Sequence, residues 1–383
     1  MFYGICKEKI KIMKVAIGIP AFKAHSTIQM CLSSINIQTM RKDIRVVISN
    51  DDPGDSYEYL SKQFPDLEIM YLDCTKNGGP GVARNRVIDA CNDQYITFID
   101  ADDIFYTPYA IENMYRAINQ PNVVQSQSIF VQPIKMQDGS VKLYPHMEAN
   151  HPWTFGRMYN VKFLHMYGIN FGTLRQMEDG RMQHCIRLLI DGTQLKINYT
   201  KDIAYIWQEG SDHSITRSGA DINDGIPVYN FGMCQLGAAI AFKQAIDFAQ
   251  SKNPFNGNIP KFASEQMVNQ YFTYFECKEK CPKFAEQNLW VSKWFYNNCF
   301  KPYCSNVSKD ILENIFMQML SAKGKDFKKF PELTFDQWFE KISTSEFNFE
   351  ELREIHDKLP EEIKEVERKT GQLPDDILDI FKQ

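Results

Sequence analysis

Between residues 14 and 104, short apolar runs alternate with stretches whose apolar residues recur at helical spacing. The pattern predicts strands at 15–19, 44–49, 68–72 and 95–99, and helices at 26–38, 57–64 and 82–91. Strands that alternate with helices in this way indicate a mainly parallel sheet covered by helices on both faces. Ligands of such sheets bind beyond the carboxyl ends of the strands. Acidic clusters follow two of the predicted strands at that edge, at Asp51 and at Asp100.

The apolar pattern changes character toward the carboxyl-terminal half of the chain. Residues 109–217 are mixed, with a helical stretch near 179–190 and strand-like segments at 123–131 and 203–207. Beyond residue 225 helical spacing dominates, and helices are predicted at 229–248, 263–275, 289–296, 311–320, 335–342 and 363–381. We therefore expect an α/β fold with a helical C-terminal domain. The predicted division is an N-terminal extension at 1–13, the α/β domain at 14–225 and the helical domain at 226–383.

Composition and charge narrow the class of protein. With 383 residues, of which 44% are hydrophobic and 24% charged, the chain is typical of a globular protein with two domains. The net charge of −5 argues against a surface that is basic throughout. The sequence lacks an apolar run of the roughly 20 residues that a membrane-spanning helix needs, and residues 1–11 lack the apolar core of a secretory signal. Together with ten scattered cysteines, these features predict a cytoplasmic protein with reduced thiols.

The predicted strand at 95–99 ends in the acidic run Asp100, Asp102 and Asp103. Alternation along a strand places Asp100 and Asp102 on the same side. Neighbouring carboxylates repel one another unless a cation neutralises them, and a hard divalent ion with a diphosphate is the natural occupant. The alternative interpretation is that such a pair caps a helix or simply faces water.

Several motifs of the α/β domain occur together in the order and spacing of a known family. They are Ile19–Pro20–Ala21–Phe22, Cys31–Leu32–Ser33–Ser34–Ile35 followed by Gln38, Asn50–Asp51, Asn77, Ala83–Arg84–Asn85, and the strand from Tyr95 that ends in Asp100–Ala101–Asp102–Asp103. With these motifs the chain resembles the family-2 glycosyltransferases of the GT-A fold, which has a Rossmann-like, mainly parallel sheet. The strong part of the resemblance covers about residues 14–105, and a weaker part reaches about residue 218.

The resemblance implies a metal-dependent hexosyl- or pentosyltransferase whose site holds a nucleotide sugar and a divalent cation, Mn²⁺ or Mg²⁺. It assigns Pro20, Ala21 and Phe22 to the base pocket, Asp51 to the nucleobase, Arg84 to the nucleotide, Asp100 to the ribose or the metal, and Asp102 to the metal. UDP is the commonest carrier in the family, so a UDP-sugar is the expected donor. Two residues depart from the family pattern, since Asn50 stands where Asp is usual and Lys23 where Asn is usual. The alternative interpretation of Asp51 is a turn residue ahead of Pro53.

Sugar transfer also requires a base that deprotonates the acceptor hydroxyl. The pair Glu178–Asp179 resembles the acidic pair that begins the acceptor-side helix in the family. The resemblance therefore implies Asp179 as general base of an inverting single displacement, with Glu178 as its substitute or an acceptor contact. Alternatively, both are acids favoured at a helix N-terminus by the macrodipole.

Residues 210–217 form a late loop of the type that completes the metal site in many GT-A enzymes. By that resemblance His213 is a candidate metal ligand and Arg217 a candidate phosphate contact, although a lone surface histidine is more often structural or solvated. Trp153, Tyr205 and Trp207 have the aromatic faces that stack on sugars. Because aromatic residues in strands more often belong to the core, we do not select them as site residues.

Two features of the helical domain bear on cofactors and partners. Cys277, Cys281, Cys299 and Cys304 could close a zinc site, but their irregular spacing favours ordinary packed thiols. Residues 252–330 carry 12 lysines and no arginine against 7 acidic residues, interleaved with aromatic residues. Basic charge with aromatic rings binds polyanions or flipped bases, whereas the plainer interpretation is an aromatic core with a solvated lysine shell.

The sequence leaves the chemical class of the acceptor open. One interpretation is a phage enzyme that glycosylates hydroxymethylated bases in DNA, acting in the host cytoplasm. A second is a transferase that acts on a cell-surface glycan or a lipid-linked precursor, and a third is a sugar-nucleotide or glycan-binding module without catalysis. The intact acidic clusters favour an enzyme over the binding module.

Overall fold

In the computed structural model the described residues are 14–147, 151–174, 176–208, 228–280, 285–323 and 333–357. The chain divides into two compact units, the first made of 1–173 with 194–209, and the second of 174–193 with 210–383. The predicted boundary at residue 225 falls in 209–227, outside the described residues, and stays a prediction. The segment 174–193, which we placed in the α/β domain, groups with the helices of the second unit.

The first unit is built on a sheet that has nine strands within the part of the chain that the structure describes. The strands are β1 (Val15–Ala21), β2 (Ile44–Asn50), β3 (Glu68–Leu72), β4 (Tyr95–Phe98), β5 (Ile104–Phe105), β6 (Val123–Lys135), β7 (Val141–His146), β8 (Arg157–Asn160) and β9 (Lys196–Ile206). Their order is β3-β2-β1-β4-β8-β6-β9-β5, with β7 paired to β6. The four strands β1 to β4 are parallel, β8 runs antiparallel to β4 and β6, and β9 is parallel to β6.

Helices cover this sheet and exclude water from its central strands. They are α1 (Ile28–Asn36), α2 (Leu60–Gln63), α3 (Pro80–Ala90), α4 (Ala110–Ile118) and α5 (Val161–Tyr167). Every residue of β2 is buried, as expected for a parallel strand that is covered on both faces. At Gly18 in β1 an added Cβ would lie 2.7 Å from the ring of Phe98, so glycine at this position leaves room for that ring. The α/β fold class with a mainly parallel, Rossmann-like sheet is confirmed.

The second unit is helical, as the sequence pattern predicts. It contains α6 (Glu178–Ile190), α7 (Val228–Lys252), α8 (Asn258–Lys280), α9 (Ala285–Phe295) with a π-helical continuation at Tyr296–Phe300, α10 (Lys309–Lys323), α11 (Phe335–Thr344) and α12 (Phe349–Asp357). Tyr271 lies at the centre of its aromatic core and contacts the rings of Phe275, Phe316, Phe335 and Trp338. The helix predicted at 363–381 lies outside the described residues. No helix of the described part of the chain is long and apolar enough to cross a membrane.

The aromatic residues of 252–330 mostly form this core. Phe272, Phe275, Trp294 and Phe295 are at most 3% exposed, so their rings do not face solvent. Lys293 is also buried, and its ammonium donates to the carbonyl oxygens of Ile342 (2.7 Å) and Ser343 (3.3 Å) near the end of α11. The plainer interpretation, in which the rings form a core, is therefore the one that these residues support.

Of the cysteines whose side chains the structure describes, all but one are buried in the protein interior. Cys31, Cys91, Cys185, Cys277, Cys299 and Cys304 are buried, and Cys74 is half-buried. Burial raises the pKa of Cys91 to about 12 and that of Cys185 to about 11. Within the described residues, no group of three or more histidine, cysteine or acidic side chains is arranged to hold a metal ion. Cys281 lies outside them, so the four-cysteine zinc hypothesis stays untested.

Candidate active site

The acidic run after β4 separates into two partly exposed carboxylates and one buried carboxylate. Asp100 and Asp102 are partly exposed, whereas Asp103 is 1% exposed. The Asp103 carboxylate accepts hydrogen bonds from the Tyr205 hydroxyl and from the Gln208 amide (2.6 Å). The Tyr205 hydroxyl in turn accepts from the amide of Asp100 (3.2 Å). Asp103 and Tyr205 therefore fix the backbone from which Asp100 projects.

The buried pair of Asp103 and Tyr205 has unusual proton affinities. Burial, and then the charges of Asp100 and Asp102, raise the pKa of Asp103 well above its usual value, while the Tyr205 and Gln208 donors act in the opposite direction. Burial and the nearby Asp103 also raise the pKa of Tyr205. The hydroxyl of Tyr205 thus keeps its proton and remains a donor, which stabilises this arrangement. Sequence reasoning considered Tyr205 as a ring that could stack on a sugar and preferred a core role, and no sequence signal marks its hydroxyl.

The Ala83–Arg84–Asn85 motif lies on α3 and joins two parts of the site. Arg84 is buried, donates to a carboxylate oxygen of Asp100 (2.7 Å) and lies over the ring of Phe171 (5.4 Å). The Asn85 side chain accepts from the amide of Phe171 and donates to the carbonyl of Gly172, both at 2.8 Å. The structure therefore brings two predicted residues, Arg84 and Asp100, into direct contact.

The carboxylate of Asp51, which follows β2, accepts several hydrogen bonds from groups within the protein. One carboxylate oxygen accepts from Arg86 (2.7 Å) and Gly78 (3.2 Å), and the other accepts from Gly79 (2.7 Å) and Gly78 (3.2 Å). A carboxylate offers about four acceptor sites, and three donors, of which the Gly78 amide is shared between both oxygens, use most of them. Asp51 holds the loop that leads into α3, where Gly79 has a φ of 84°. Its assignment to the nucleobase stays a prediction.

Arg86 and Asn50 complete the environment of Asp51. Arg86 was missed by sequence reasoning; it also donates to the Ser49 hydroxyl (3.1 Å), and its position two residues after Arg84 was the available signal. The Asn50 amide nitrogen donates to a carboxylate oxygen of Asp73 (3.2 Å) and to the carbonyl of Asp55 (2.8 Å). An aspartate at position 50 would repel Asp73, which gives a physical reason for this departure from the family pattern.

The end of β1 lies beside Asp51, because the Asp51 amide donates to the Ala21 carbonyl (2.7 Å). Pro20 is partly buried and the Ala21 side chain is buried, whereas Phe22 is 46% exposed. Phe22 is therefore the ring of this segment that a ligand can reach. Lys23 adopts a φ of 51°, a left-handed conformation that asparagine tolerates better than lysine. Its ammonium lies 5.1 Å from the centre of the Phe22 ring.

Glu178 and Asp179 form the first turn of α6 in the second unit, and both are buried. The preceding Met177 has a φ of 65°, which turns the chain sharply into the helix. At Gly237 of α7 an added Cβ would lie 3.2 Å from the Gln176 carbonyl, so α7 passes close to the start of α6. The N-terminal position explains why acids are stable here. The catalytic roles of Glu178 and Asp179 stay predictions.

The carboxylates of Asp100 and Asp102 at the end of β4 are of the type that binds a hard divalent ion. His213 and Arg217 lie outside the described residues, so their predicted roles are untested. Asp100 and Asp102 offer carboxylate oxygens, and Mg²⁺ is commonly held by one or two carboxylates, waters and substrate phosphates. A third protein ligand is therefore not required for such a site.

Comparison with known proteins finds similarity over the residues that form this site. The profile described as Glycosyl transferase family 2 matches residues 16–179. The glycosyltransferase GlyA of Streptococcus pneumoniae is 31% identical over 107 residues, and the poly(ribitol-phosphate) beta-glucosyltransferase of Bacillus spizizenii is 36% identical over 95 residues. These alignments cover 27% and 24% of this chain and, in both cases, only 15% of the relative. The amylovoran biosynthesis glycosyltransferase AmsB of Erwinia amylovora is 29% identical, over 33% of this chain and 48% of its own length.

Two solved structures are also similar in outline. Residues 1–349 of S. aureus TarS in complex with UDP-GlcNAc match at a TM-score of 0.46 and 13% identity, covering 81% of this chain and 92% of TarS 1–349. A mannosyltransferase of Pyrobaculum calidifontis with GDP-Man and Mn²⁺ matches at a TM-score of 0.45 and 14% identity, covering 83% of both chains. The family profile spans β1 to the first turn of α6 and so includes Asp51, Arg84, Asp100 and Asp102. Residues 16–179 are therefore similar to Glycosyl transferase family 2.

Proposed function

We propose that this protein is a glycosyltransferase that moves a sugar from a UDP-sugar to an acceptor hydroxyl. The observation that carries the proposal is the acidic edge of β4 within the segment that is similar to Glycosyl transferase family 2. There Arg84 binds Asp100, and the buried pair of Asp103 and Tyr205 fixes the Asp100 backbone. Such fixed charges do not have to reorganise when a ligand binds or reacts, which is how enzymes stabilise developing charge.

The donor site uses this edge together with the loop that Asp51 holds. Asp100 and Asp102 would hold Mn²⁺ or Mg²⁺, which supplies positive charge to the leaving diphosphate when bound. Arg84 orients Asp100 from its buried position on α3. Phe22 supplies an exposed ring at the end of β1 for the base. Arg217 and His213 are kept as candidates for the phosphate and the metal.

The transfer is an inverting single displacement. The acceptor oxygen forms a bond to the anomeric carbon as the bond between that carbon and the diphosphate breaks, and UDP leaves. Asp179 takes the proton of the acceptor hydroxyl, with Glu178 as the second candidate for this role. Both carboxylates are buried, an environment in which a positioned base is shielded from competing water.

For the acceptor we propose a cell-surface glycan. The relatives named for poly(ribitol-phosphate) glucosylation and for amylovoran biosynthesis support this choice. The aromatic residues that suggested hydroxymethylated DNA are largely core residues, so that alternative now depends on the lysines of 252–330 alone. A binding module without catalysis would need neither Asp179 nor a site for the acceptor.

A panel of UDP-sugars with Mn²⁺ tests the proposal. We expect one or more to raise the melting temperature by mass action and to release UDP slowly by hydrolysis in the absence of acceptor. A matched control is Asp138→Asn in an exposed turn of the first unit, which should behave as the wild type. If the wild type neither binds UDP-sugars with Mn²⁺ nor releases UDP, the transferase proposal is wrong.

A further inference from the structure

Four aromatic side chains of the first unit form one connected group, which we call the aromatic shelf: Trp153, Phe155, Tyr205 and Trp207. The other three rings all lie nearly parallel to Phe155, at 13° for Trp153, 21° for Tyr205 and 26° for Trp207. The corresponding centroid distances from Phe155 are 6.3, 4.9 and 6.0 Å. The four rings therefore share a common orientation, whereas the neighbouring Phe130 lies edge-to-face against Trp153 and Phe155.

The shelf has a buried base and an exposed surface. Phe155 is 8% exposed and Tyr205 is fully buried, so these two rings belong to the core. Trp153 is 39% exposed, and Trp207 is only partly buried against the same core. Burial of the two central rings fixes the orientation of the two indoles that solvent can reach. A rigid exposed indole binds ligands without a large loss of side-chain entropy.

The shelf joins the acidic edge directly. The hydroxyl of Tyr205 bonds to Asp103 and to the Asp100 amide, and the residue after Trp207 donates its amide to Asp103 (2.6 Å). Trp207 is therefore one residue away from the group that fixes the acidic run. A ligand that lies on the indoles would lie next to a donor sugar held at Asp100 and Asp102.

Besides the apolar rings of Phe130 and Phe155, the exposed indole of Trp153 has polar aromatic neighbours. The ring of His146 lies 6.2 Å from that of Trp153, and Tyr144, which is 51% exposed, lies 5.3 Å from His146. Carbohydrate rings present an apolar C–H face and a rim of hydroxyl groups, so they match an aromatic surface bordered by hydrogen-bonding groups. A nucleobase also stacks on aromatic rings. The hydrogen-bonding rim favours the hydroxyl-rich saccharide, and binding of a nucleoside is therefore one outcome of the test.

We propose that Trp153 and Trp207 form the acceptor subsite and that it binds the terminal pyranose ring of a saccharide. This inference rests on the proposed function, because it names the substrate class of that same site. The hydroxyl that receives the sugar belongs to the pyranose that lies on the indoles. The acceptor is then itself the product of an earlier glycosyl transfer.

Saturation-transfer NMR on the full chain tests the subsite directly. The probes are the methyl pyranosides of glucose, galactose, mannose and N-acetylglucosamine, with 5-hydroxymethyl-2′-deoxycytidine as the base probe. We expect at least one pyranoside to receive saturation through its ring C–H protons. The signal should fall at least fivefold in Trp153→Ala and in Trp207→Ala and should persist in Tyr109→Ala, an exposed tyrosine of the same unit outside the shelf.

Three NMR results would overturn the proposal: no pyranoside signal in the wild type, a signal that survives in either indole variant, or a signal from the deoxynucleoside alone. Trp153→Phe, which keeps an aromatic ring, should retain part of the signal, and circular dichroism checks that each variant is folded. Release of UDP from UDP-sugars by the wild type is measured separately. If UDP is released but no pyranoside binds, only the subsite is wrong. If pyranosides bind but no UDP-sugar does, the indoles bind sugars but do not serve a transferase, and the subsite proposal also fails.

Discussion

Both units are rich in aromatic side chains, but these side chains have different roles in the two units. In the helical unit the rings around Tyr271 pack on one another, and the Tyr271 hydroxyl donates a hydrogen bond to the carbonyl of Leu333 (2.9 Å). In the sheet unit the Tyr205 hydroxyl bonds to a buried carboxylate at the end of a strand, and the neighbouring indoles reach solvent. The same residue types therefore stabilise a core in one place and organise a polar edge in the other. The polar partner of the ring, rather than the ring itself, distinguishes the two roles.

The largest effect is expected when a carboxylate at the end of β4 is removed. Asp102→Ala should abolish binding of UDP in the presence of Mn²⁺ while leaving the fold intact, because it deletes a partly exposed carboxylate and not a core group. Calorimetric titration with UDP and Mn²⁺ measures the effect, with Asp138→Ala as the control. Unchanged affinity would remove Asp102 from the metal site.

The next largest effect concerns the acids of the helical unit. Asp179→Asn should keep the affinity for the donor and lower the transfer rate by about 10² to 10⁴, the usual contribution of a positioned general base. The amide has the shape of the carboxylate but cannot accept the proton. Transfer rates and donor binding are measured in parallel, with Glu178→Gln as the paired variant. A near-normal rate would mean that Asp179 is not the base.

The aromatic core of the helical unit should show its purely structural role in a stability measurement. Trp338 is completely buried among Tyr271 and Phe335. Trp338→Ala should lower the free energy of unfolding by about 3 to 5 kcal/mol, as large-to-small changes of buried aromatic residues do. Urea unfolding followed by circular dichroism measures it. A loss below about 1 kcal/mol would show that this core is not tightly packed.

Tyr205→Phe tests the contrasting role of the hydroxyl at the polar edge. The change keeps the contacts of the ring with Phe105 and Phe155 but removes the hydrogen bonds to Asp103 and Asp100. We expect about tenfold weaker binding of UDP with Mn²⁺, which corresponds to roughly 1.4 kcal/mol, the size of one or two lost hydrogen bonds. Tyr57→Phe is the control, since its hydroxyl bonds to the Ala24 amide instead. Equal affinities in wild type and Tyr205→Phe would contradict the positioning role.

The smallest effect is expected at the left-handed residue beside the base pocket. Lys23→Asn should raise the free energy of unfolding by roughly 0.5 to 1 kcal/mol, because asparagine adopts positive φ more readily than lysine. Thermal unfolding measures it, with Lys62→Asn on α2 as the comparison. A fall in stability would mean that the contact of Lys23 with Phe22 outweighs the backbone strain.

The spacing of apolar residues along the chain was enough to predict several of the strands and helices. The strand expected at 68–72 is found at Glu68–Leu72, and that expected at 15–19 is found at Val15–Ala21. The strands β5, β7 and β8 were missed. β5 has only two residues, β7 includes Pro145, and β8 lacks the apolar run that marks β4. Pairing between distant elements was also beyond reach. The sequence motif indicates that Arg84 belongs to the site. Its contact with Asp100 depends on the relative positions of α3 and β4, which the sequence pattern does not give.

The same limit explains what was missed around Asp51 and Asp103. Arg86 and Asp51 are separated by 35 positions, and Tyr205 and Asp103 by 102, so no local pattern connects them. Burial decided the role of each pair, and burial depends on the whole sheet. Sequence spacing pointed to the carboxylates at the end of β4, whereas the residues that hold them in place became visible only in three dimensions.

The uneven burial of the cysteines has a practical consequence for chemical labelling. Thiol reagents attack the thiolate, and the raised pKa values of Cys91 and Cys185 keep those buried thiols protonated at neutral pH. Of the described cysteines, only Cys74 is accessible in part, and it directly follows Asp73, the partner of Asn50. A maleimide dye should therefore react first at Cys74 among these thiols. Its emission would then report on ligands that enter beside the loop after β3.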